Sequence, residues 1–325
     1  MKRFLRTLAA CLFAALLFVF AGCSAPAPAP ENGKLQVVAT IFPAYDWVRQ
    51  IVGERTENVE VTLLVRNGVD LHSYQPTADD LIRIASCDLF VYVGGTSDAW
   101  VSDALAHNAG KGPVVIDLMD VLDDAVKEEE LVEGMEAEEE DGGEDEIEYD
   151  EHVWLSLRNA ETFCKNIADA LCDLDPDGRE VYRANADAYL EKLASLDAAY
   201  AAAVKEAPKK TLLFGDRFPF RYLADDYGLT YYAAFVGCSA ETEASFQTVV
   251  FLANKVDELD IHAILQIESA NGSLAATVRD NTQKKDAAIL TLDSLQSVTA
   301  KEIENGATYL SVMENNLGVL TDALQ

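Results

Sequence analysis

One of the four histidines in the chain lies where a metal ligand would be expected. His72 is in a short loop that follows the apolar run of residues 59–65, which predicts a strand. Pro76 restricts the backbone before it, and Thr77 with Asp80 has the pattern of a capping box that opens a helix. A loop stiffened in this way could hold an imidazole in place for a cation, and a turn histidine without a ligand is the alternative reading.

A second loop histidine and three acidic residues complete a candidate ligand set. His152 precedes a short apolar segment and a helical pattern, a setting like that of His72. Asp216, Glu268 and Asp293 each follow a predicted strand. Two imidazoles with two carboxylates suit a borderline divalent ion such as Zn²⁺ or Mn²⁺. Spacing alone does not show that these residues meet, so the fold must bring them together.

Strands and helices alternate along the chain after residue 34. Apolar runs that predict strands are found at residues 35–40, 59–65, 89–93 and 114–116, and again at 211–214, 230–235, 263–267 and 288–292. Segments with helical apolar spacing separate them. This order predicts an α/β fold with two similar lobes, each with a mostly parallel four-stranded sheet flanked by helices. Ligands then gather at the carboxyl ends of the strands.

A long helical pattern lies between the two halves. Residues 182–204 contain no Gly or Pro and place Tyr and Leu at helical spacing over about six turns. We interpret this pattern as a linking helix within residues 179–207, with a surface helix of the first lobe as the alternative. The N-terminal lobe would then comprise residues 35–178 and the C-terminal lobe residues 208–325.

The charge of the chain is strongly negative. A formal net charge of −31 argues against a nucleic-acid partner, because phosphates need cationic side chains to neutralise them. Residues 117–151 contain 19 acidic side chains and one basic one, Lys127. Like charge at this density predicts a disordered insertion without regular structure. A loop that collects divalent cations near the site is a second, compatible interpretation.

The first 34 residues predict export and membrane attachment. Residues 1–22 have the form of a secretion signal, with basic residues before a short apolar stretch. Residues 20–23, Phe-Ala-Gly-Cys, resemble a bacterial lipobox and predict lipidation of Cys23, with ordinary signal cleavage as the alternative. Residues 23–34 would then form an Ala- and Pro-rich tether that holds an extracytoplasmic protein at the bacterial cell membrane.

Four more cysteines follow the tether: Cys87, Cys164, Cys172 and Cys238. No Cys-x-x-Cys pair occurs, which argues against a structural zinc site. Cys164 and Cys172 lie on one predicted helix about 12 Å apart, too far for a disulfide. We interpret the four as mostly buried thiols, and a disulfide between more distant ones stays open.

Three short motifs resemble the ligand loops of one family. Residues 68–77 match the pattern Gly-x-Asp-Pro-His-x-Tyr-x-Pro-Thr, except that Leu71 replaces the first proline. Residues 150–155 resemble Asp-Pro-His-x-Trp-Leu, again without the proline, and residues 292–294 resemble a loop that supplies a carboxylate. Over residues 35–324 the chain therefore resembles the metal-binding solute-binding lipoproteins of zinc and manganese ABC uptake transporters, an adhesin-like family.

The resemblance implies a metal site in the cleft between two lobes that one long rigid helix joins. His72, His152 and Asp293 match ligand positions of the family, and Glu268 matches a glutamate near its site. The family's third ligand falls at Arg217, which cannot bind a cation.

We assign this third position to Asp216, one residue before the arginine. Water, Glu241 or Glu243 could complete the ligand set instead.

The resemblance implies an extracytoplasmic binding protein that captures Zn²⁺, with Mn²⁺ as the alternative, and delivers it to an ABC permease. We expect a lipid-anchored monomer. We expect no enzymatic activity, because the motifs His-Glu-x-x-His and Gly-x-Ser-x-Gly are absent from the sequence. A surface adhesin or a metal-sequestering lipoprotein without a role in transport is the alternative function.

Overall fold

Parallel strands alternate with helices in both halves of the chain. A computed structural model describes residues 33–106, 112–136, 148–239 and 243–325. The strands are β1 (Leu35–Ala39), β2 (Val59–Leu63), β3 (Leu89–Tyr92), β4 (Val114–Asp117), β5 (Thr211–Leu213), β6 (Arg217–Phe218), β7 (Thr230–Tyr232), β8 (Phe235–Val236), β9 (Ala263–Gln266) and β10 (Ala288–Thr291). The helices are α1 (Phe42–Val52), α2 (Ala78–Ser86), α3 (Trp100–Ala106), α4 (Leu118–Leu122), α5 (Leu157–Leu174), α6 (Arg179–Glu206), α7 (Arg221–Tyr227), α8 (Phe246–Glu258), α9 (Ser273–Asp280), α10 (Ala300–Glu304) and α11 (Tyr309–Ala323).

Four parallel strands form the sheet of the N-terminal half, in the order β2-β1-β3-β4. Strand β1 is internal, with Leu35 opposite Val59 on one side and Val37 opposite Leu89 on the other. Its last three residues are buried, as a continuous apolar run predicts for a strand covered on both faces. Because the strands are parallel, the loops at their carboxyl ends lie along one edge of the sheet.

Four parallel strands also lie side by side in the C-terminal half. Strand β5 pairs with β7 and β9 pairs with β10, and a bridge between Phe214 and Leu265 joins the two pairs. The strand predicted for residues 230–235 is divided into β7 and β8, and β8 pairs with β6. The predicted α/β class with two parallel sheets is therefore confirmed.

The long helix α6 has 28 residues and is about 42 Å long at a rise of 1.5 Å per residue. Its buried side chains form one stripe with helical spacing: Tyr182, Ala186, Tyr189, Leu193, Leu196, Tyr200 and Val204. The helix packs against α1, α5 and α11, and Tyr200 Oη donates to the carbonyl of Met313 at 2.6 Å. It therefore contacts helices of both halves, as a linking helix must.

The first part of the acidic segment is ordered, so the prediction of a disordered insertion at residues 117–151 is wrong for this part. Asp117 ends β4 and its side chain caps α4. Glu130 forms an ion pair with Arg221 of the C-terminal half. Apolar side chains between the charges pack against the hydrophobic core: Met119, Val121, Leu122, Val132 and Met135. The net charge of this segment was a poor predictor of disorder. The burial of apolar side chains and the ion pair stabilise the segment by more than repulsion between like charges at the surface destabilises it.

Several sequence predictions fall outside the described residues. They include the signal peptide, Cys23, Glu241 and residues 137–147 of the acidic segment. Lys34–Gln325 form one compact unit. Within the described ranges, no helix has the length and apolar character needed to cross a membrane.

Two hydrogen bonds connect the loop after the acidic segment with the C-terminal half. Trp154 Nε1 donates to the carbonyl of Ser294 at 2.9 Å, and Tyr309 Oη donates to the carbonyl of Trp154 at 2.7 Å. Both aromatic side chains are fully buried. Because a buried polar group without a partner is costly, these bonds hold the loop against the second half of the chain.

Removing the Tyr309 hydroxyl tests this connection. Tyr309→Phe takes the donor away from a buried carbonyl and should lower the free energy of unfolding by about 1–3 kcal/mol, measured by urea denaturation. Tyr189→Phe is the matched control, because Tyr189 is also buried and its hydroxyl has no hydrogen-bond partner in the described part of the chain. The control should be neutral or stabilising, and equal losses in the two variants would contradict the role of the Tyr309 hydrogen bond.

Candidate metal centre

His72 is placed by the loop at the carboxyl end of β2. It lies in a short 3₁₀ turn that Asp70 caps, since Asp70 Oδ1 accepts the backbone N–H of His72 at 3.0 Å. Leu71, which replaces a proline of the resembling motif, is buried in the core. The capping box predicted for Thr77 and Asp80 is present and starts α2. The loop is therefore fixed on both sides of the imidazole.

His152 is fully buried at the start of the second loop. Asp150 Oδ1 accepts two hydrogen bonds from it, one from the backbone N–H at 2.8 Å and one from Nδ1 at 2.9 Å. The indole of Trp154 lies with its centroid 5.2 Å from the imidazole centroid. These contacts hold the ring in one orientation.

The two imidazoles converge through their Nε2 atoms, which are 3.1 Å apart. His72 Nδ1 lies 2.8 Å from Ser97 Oγ and 3.4 Å from Glu151 Oε2, and His152 Nδ1 faces Asp150. Each Nδ1 thus has an acceptor that favours a proton on it, which leaves a lone pair on each Nε2 for a metal. Two nitrogen ligands of one tetrahedral zinc ion are about 3.3 Å apart, so this spacing suits a single ion.

Glu151 is a buried carboxylate beside the histidine pair. Its Oε1 accepts hydrogen bonds from Thr96 Oγ1 at 3.0 Å and from the backbone N–H of Ser97 at 2.8 Å. Burial raises the pKa of this carboxyl, but the nearby imidazole of His72 and the hydrogen bond from Ser97 outweigh burial and lower the pKa to about 2. Gly95 has a φ of +74°, and a Cβ there would collide with the Glu151 carboxylate. The site therefore keeps a negative charge beside His72 at neutral pH.

A third candidate ligand atom comes from a residue that the sequence analysis placed among the buried thiols. Cys238 Sγ joins His72 and His152 in a group whose ligand atoms all lie within 4.8 Å of one another. Burial, together with the carboxylates of Asp150 and Glu129, raises the pKa of this thiol. The position of Cys238 just after β8, at the end of a predicted strand, is the signal that could have identified it.

The remaining cysteines agree with the sequence interpretation. They are free and buried: Cys87, Cys164 and Cys172. Cys238 is also free, and it is only half-buried as a residue.

Two of the predicted carboxylates accept hydrogen bonds from the backbone and are not part of the converging group of ligand atoms. Asp216 borders a cavity of about 330 Å³, but its two oxygens accept the backbone N–H groups of Arg217 at 2.9 Å and Ile267 at 3.0 Å. Asp293 Oδ1 accepts a backbone N–H two residues further on at 2.8 Å. Burial raises the pKa of both carboxyls. Neither carboxylate is among the ligand atoms that converge with the histidines.

Glu268 organises the loop after β10. Its carboxylate accepts hydrogen bonds from the backbone N–H of Ser294 at 2.7 Å and from Ser297 Oγ at 2.9 Å. It thereby shapes the loop that carries Asp293. Glu243 is exposed.

Arg217, at the position where the resemblance places a ligand, forms an ion pair with Asp70. Its Nη1 donates to the carbonyl of Ser239 at 3.0 Å. Burial raises the pKa of Asp70, but the guanidinium of Arg217 outweighs burial and the pKa is lowered. The arginine thus connects the loop of His72 with the loop of Cys238.

Two lobes with parallel sheets and a converging histidine pair, held by the loop after β2 and the loop after the acidic segment, define a class of two-lobed α/β proteins with a candidate metal site. The model of the family ZnuA, described as zinc-uptake complex component A, periplasmic, matches residues 37–323. The chain therefore belongs to this family, which confirms the resemblance seen in the three motifs.

Individual relatives agree with this membership. The chain is 36% identical over 296 residues to the zinc-binding lipoprotein AdcA of Streptococcus pneumoniae (strain ATCC BAA-255 / R6). The aligned residues cover 89% of this chain and 56% of AdcA. It is 33% identical over 323 residues to the high-affinity zinc uptake system protein ZnuA of Bacillus subtilis (strain 168), covering 95% of this chain and 97% of that protein. The crystal structure of the Zn(II)-bound ZnuA-like domain of Streptococcus pneumoniae AdcA matches with a TM-score of 0.70 at 32% identity, over 90% of this chain and 99% of that domain. The chain thus spans little more than half the length of AdcA.

The substitution Glu151→Gln tests whether this carboxylate sets the tautomer of His72. The amide oxygen can still accept from Thr96 and Ser97, while the NH₂ group would face His72 Nδ1 and favour a proton on Nε2. Loss of such an acceptor typically weakens metal binding about 10–100-fold. We expect a loss of that size in Zn²⁺ affinity, measured by competition with a chromophoric chelator.

Asp150→Asn is the matched control. Asp150 binds His152 twice through the single atom Oδ1, and an asparagine oxygen can accept the same two hydrogen bonds. The loss of affinity should therefore be smaller than in Glu151→Gln. A folded Glu151→Gln variant with unchanged affinity would show that this carboxylate does not orient the ligand.

Proposed function

We propose that this protein captures Zn²⁺ outside the cytoplasm and delivers it to an ABC permease. The observation that carries the proposal is the pair of Nε2 atoms of His72 and His152, 3.1 Å apart, with an acceptor at each Nδ1. Membership of the zinc-uptake family supports the same role, as do the names of its relatives AdcA and ZnuA.

Zn²⁺ is the proposed cargo, with Mn²⁺ as the alternative. Imidazole nitrogen and thiolate sulfur suit zinc, whereas carboxylate oxygen suits manganese. The ligand atoms that converge in the structure are nitrogen and sulfur. Asp216 and Asp293 accept backbone N–H groups, but an ionised carboxylate has about four lone-pair sites, so each could still act as an additional ligand.

The histidine pair is nearly closed off from solvent. His152 is fully buried, and 9% of the His72 side chain is exposed. An ion held here exchanges its water shell for protein ligands, and it leaves when those ligands separate or become protonated. This suits a protein that holds an ion and passes it on, so we propose a binding role without enzymatic activity.

We also propose that the protein is a monomer held at the outer face of the bacterial cell membrane by a lipid on Cys23. The lipobox-like residues 20–23 support the anchor, and the relative AdcA is named a lipoprotein. Residues 23–34 would be the tether between the lipid and the lobes at residues 35–178 and 208–325. This arrangement keeps the binding site close to a permease in the same membrane.

Equilibrium dialysis followed by metal analysis tests the capture. The purified protein should bind one Zn²⁺ per chain and prefer it to Mn²⁺, and His72→Ala or His152→Ala should lose this ion because each removes one of the converging nitrogens. His262→Ala is the control, since more than half of the His262 side chain is exposed. Absence of Zn²⁺ uptake by the intact protein at micromolar concentrations would exclude the proposed function.

Delivery to a permease requires a separate test in cells. Deleting the gene should increase the zinc needed for growth in a chelator-containing medium, and zinc should restore growth where manganese does not. A plasmid copy of the normal gene should correct the defect, and a His152→Ala copy should not. Correction by the His152→Ala copy would favour adhesion or another role that needs no metal.

A further inference from the structure

Three loops from distant parts of the sequence bring one ligand atom each to the same point. His72 follows β2, His152 follows the acidic segment, and Cys238 follows β8. Their ligand atoms lie within 4.8 Å of one another. Two imidazole nitrogens and one cysteine sulfur form a donor set that zinc accepts in proteins.

The backbone around Cys238 is built to bring the loop close to His152. At Gly237 a Cβ atom would stand 3.1 Å from the His152 ring and 2.9 Å from the carbonyl of Phe218, so a larger residue would push the loop away. The N–H of Cys238 donates to Glu129 Oε1 at 3.0 Å. The small residue Gly237 and the hydrogen bond to Glu129 therefore hold the Cys238 thiol close to His152.

Arg217 contributes to the same arrangement from the position where the resemblance places a ligand. Its guanidinium binds Asp70 of the His72 loop and the carbonyl of Ser239, the residue after Cys238. Arg217 cannot bind a cation itself, but it connects the loop of His72 with the loop of Cys238.

We propose that Cys238 is the third protein ligand of the metal, so that the ion binds to two imidazole nitrogens and one thiolate sulfur. This inference rests on the proposed function. On binding, the metal displaces the thiol proton, which goes to solvent, and a metal–sulfur bond forms. Three protein ligands would leave one position of a tetrahedral zinc site open for a further ligand.

A thiolate ligand has a consequence for selectivity. Sulfur is a soft donor that binds zinc well, whereas manganese prefers oxygen. Exchanging Cys238 for serine should therefore weaken Zn²⁺ binding much more than Mn²⁺ binding. The selectivity of the site would reside in this one side chain, since both ions accept imidazole.

Cobalt substitution tests the ligand directly, because Co²⁺ bound by thiolate has a sulfur-to-metal charge-transfer band in the near ultraviolet. The reduced protein titrated with Co²⁺ should develop this band with one equivalent of metal. Cys238→Ser should lose the band and at least about tenfold in Zn²⁺ affinity, while retaining visible cobalt bands from the histidines. Cys87→Ser is the matched control, because Cys87 is a buried free thiol outside the ligand group, and it should keep the band.

The outcomes separate this inference from the proposed function. Cobalt bound without a charge-transfer band in the unaltered protein would overturn Cys238 as a ligand and leave zinc capture standing. A band that persists in Cys238→Ser would overturn it as well. Failure to bind either Co²⁺ or Zn²⁺ would overturn the proposed function itself.

Discussion

The site depends on two imidazoles held with their Nε2 atoms 3.1 Å apart in a nearly dry environment. Two nitrogen lone pairs that face each other need a proton or a cation between them, because a buried polar group without a partner is costly. The adjacent residues Asp150 and Glu151 orient both rings, the first through His152 Nδ1 and the second near His72 Nδ1. Two consecutive residues therefore orient candidate ligands from two distant loops. Glu151 stands where the resembling motif has proline, so this departure from the motif adds a carboxylate that acts on His72.

A second constraint is the positive charge of Arg217 close to a cation site. The ion pair with Asp70 balances this charge, and the same Asp70 caps the turn that carries His72. The arginine also binds the backbone beside Cys238. Loss of the ligand expected at Arg217 and the approach of Cys238 are thus parts of one arrangement, since the arginine fixes the loop from which sulfur reaches the histidines.

The acidic segment shows that charged side chains can order a chain when each has a specific partner. Glu129 accepts the N–H of Cys238, and Glu130 pairs with Arg221. Hydrogen bonds that involve an ionised group are stronger than neutral ones. The partners of the two glutamates, Cys238 and Arg221, belong to the C-terminal half. The described part of the segment therefore connects the two halves next to the candidate site. Trp154 and Tyr309 make a further connection nearby through buried hydrogen bonds.

Local patterns in the sequence determined the fold class and two candidate ligands. Apolar runs and helical spacing depend only on near neighbours, and they predicted the parallel sheets and the long helix α6. His72 and His152 could be identified because each lies in a short loop with its own motif. The division of residues 230–235 into β7 and β8 was not predicted, since the pairing of β8 with β6 depends on the neighbouring strand.

Only the tertiary structure decided what completes the site. The N–H that engages Asp216 belongs to Ile267, 51 residues further along the chain, and Glu129 reaches Cys238 across 109 residues. Hydrogen bonds over such distances leave no periodic signal in the sequence, because they depend on tertiary packing, within one lobe for Asp216 and between the two halves for Glu129. For the same reason a cysteine interpreted as a buried thiol could lie beside two histidines, while the predicted ligand Asp216 accepts two backbone N–H groups.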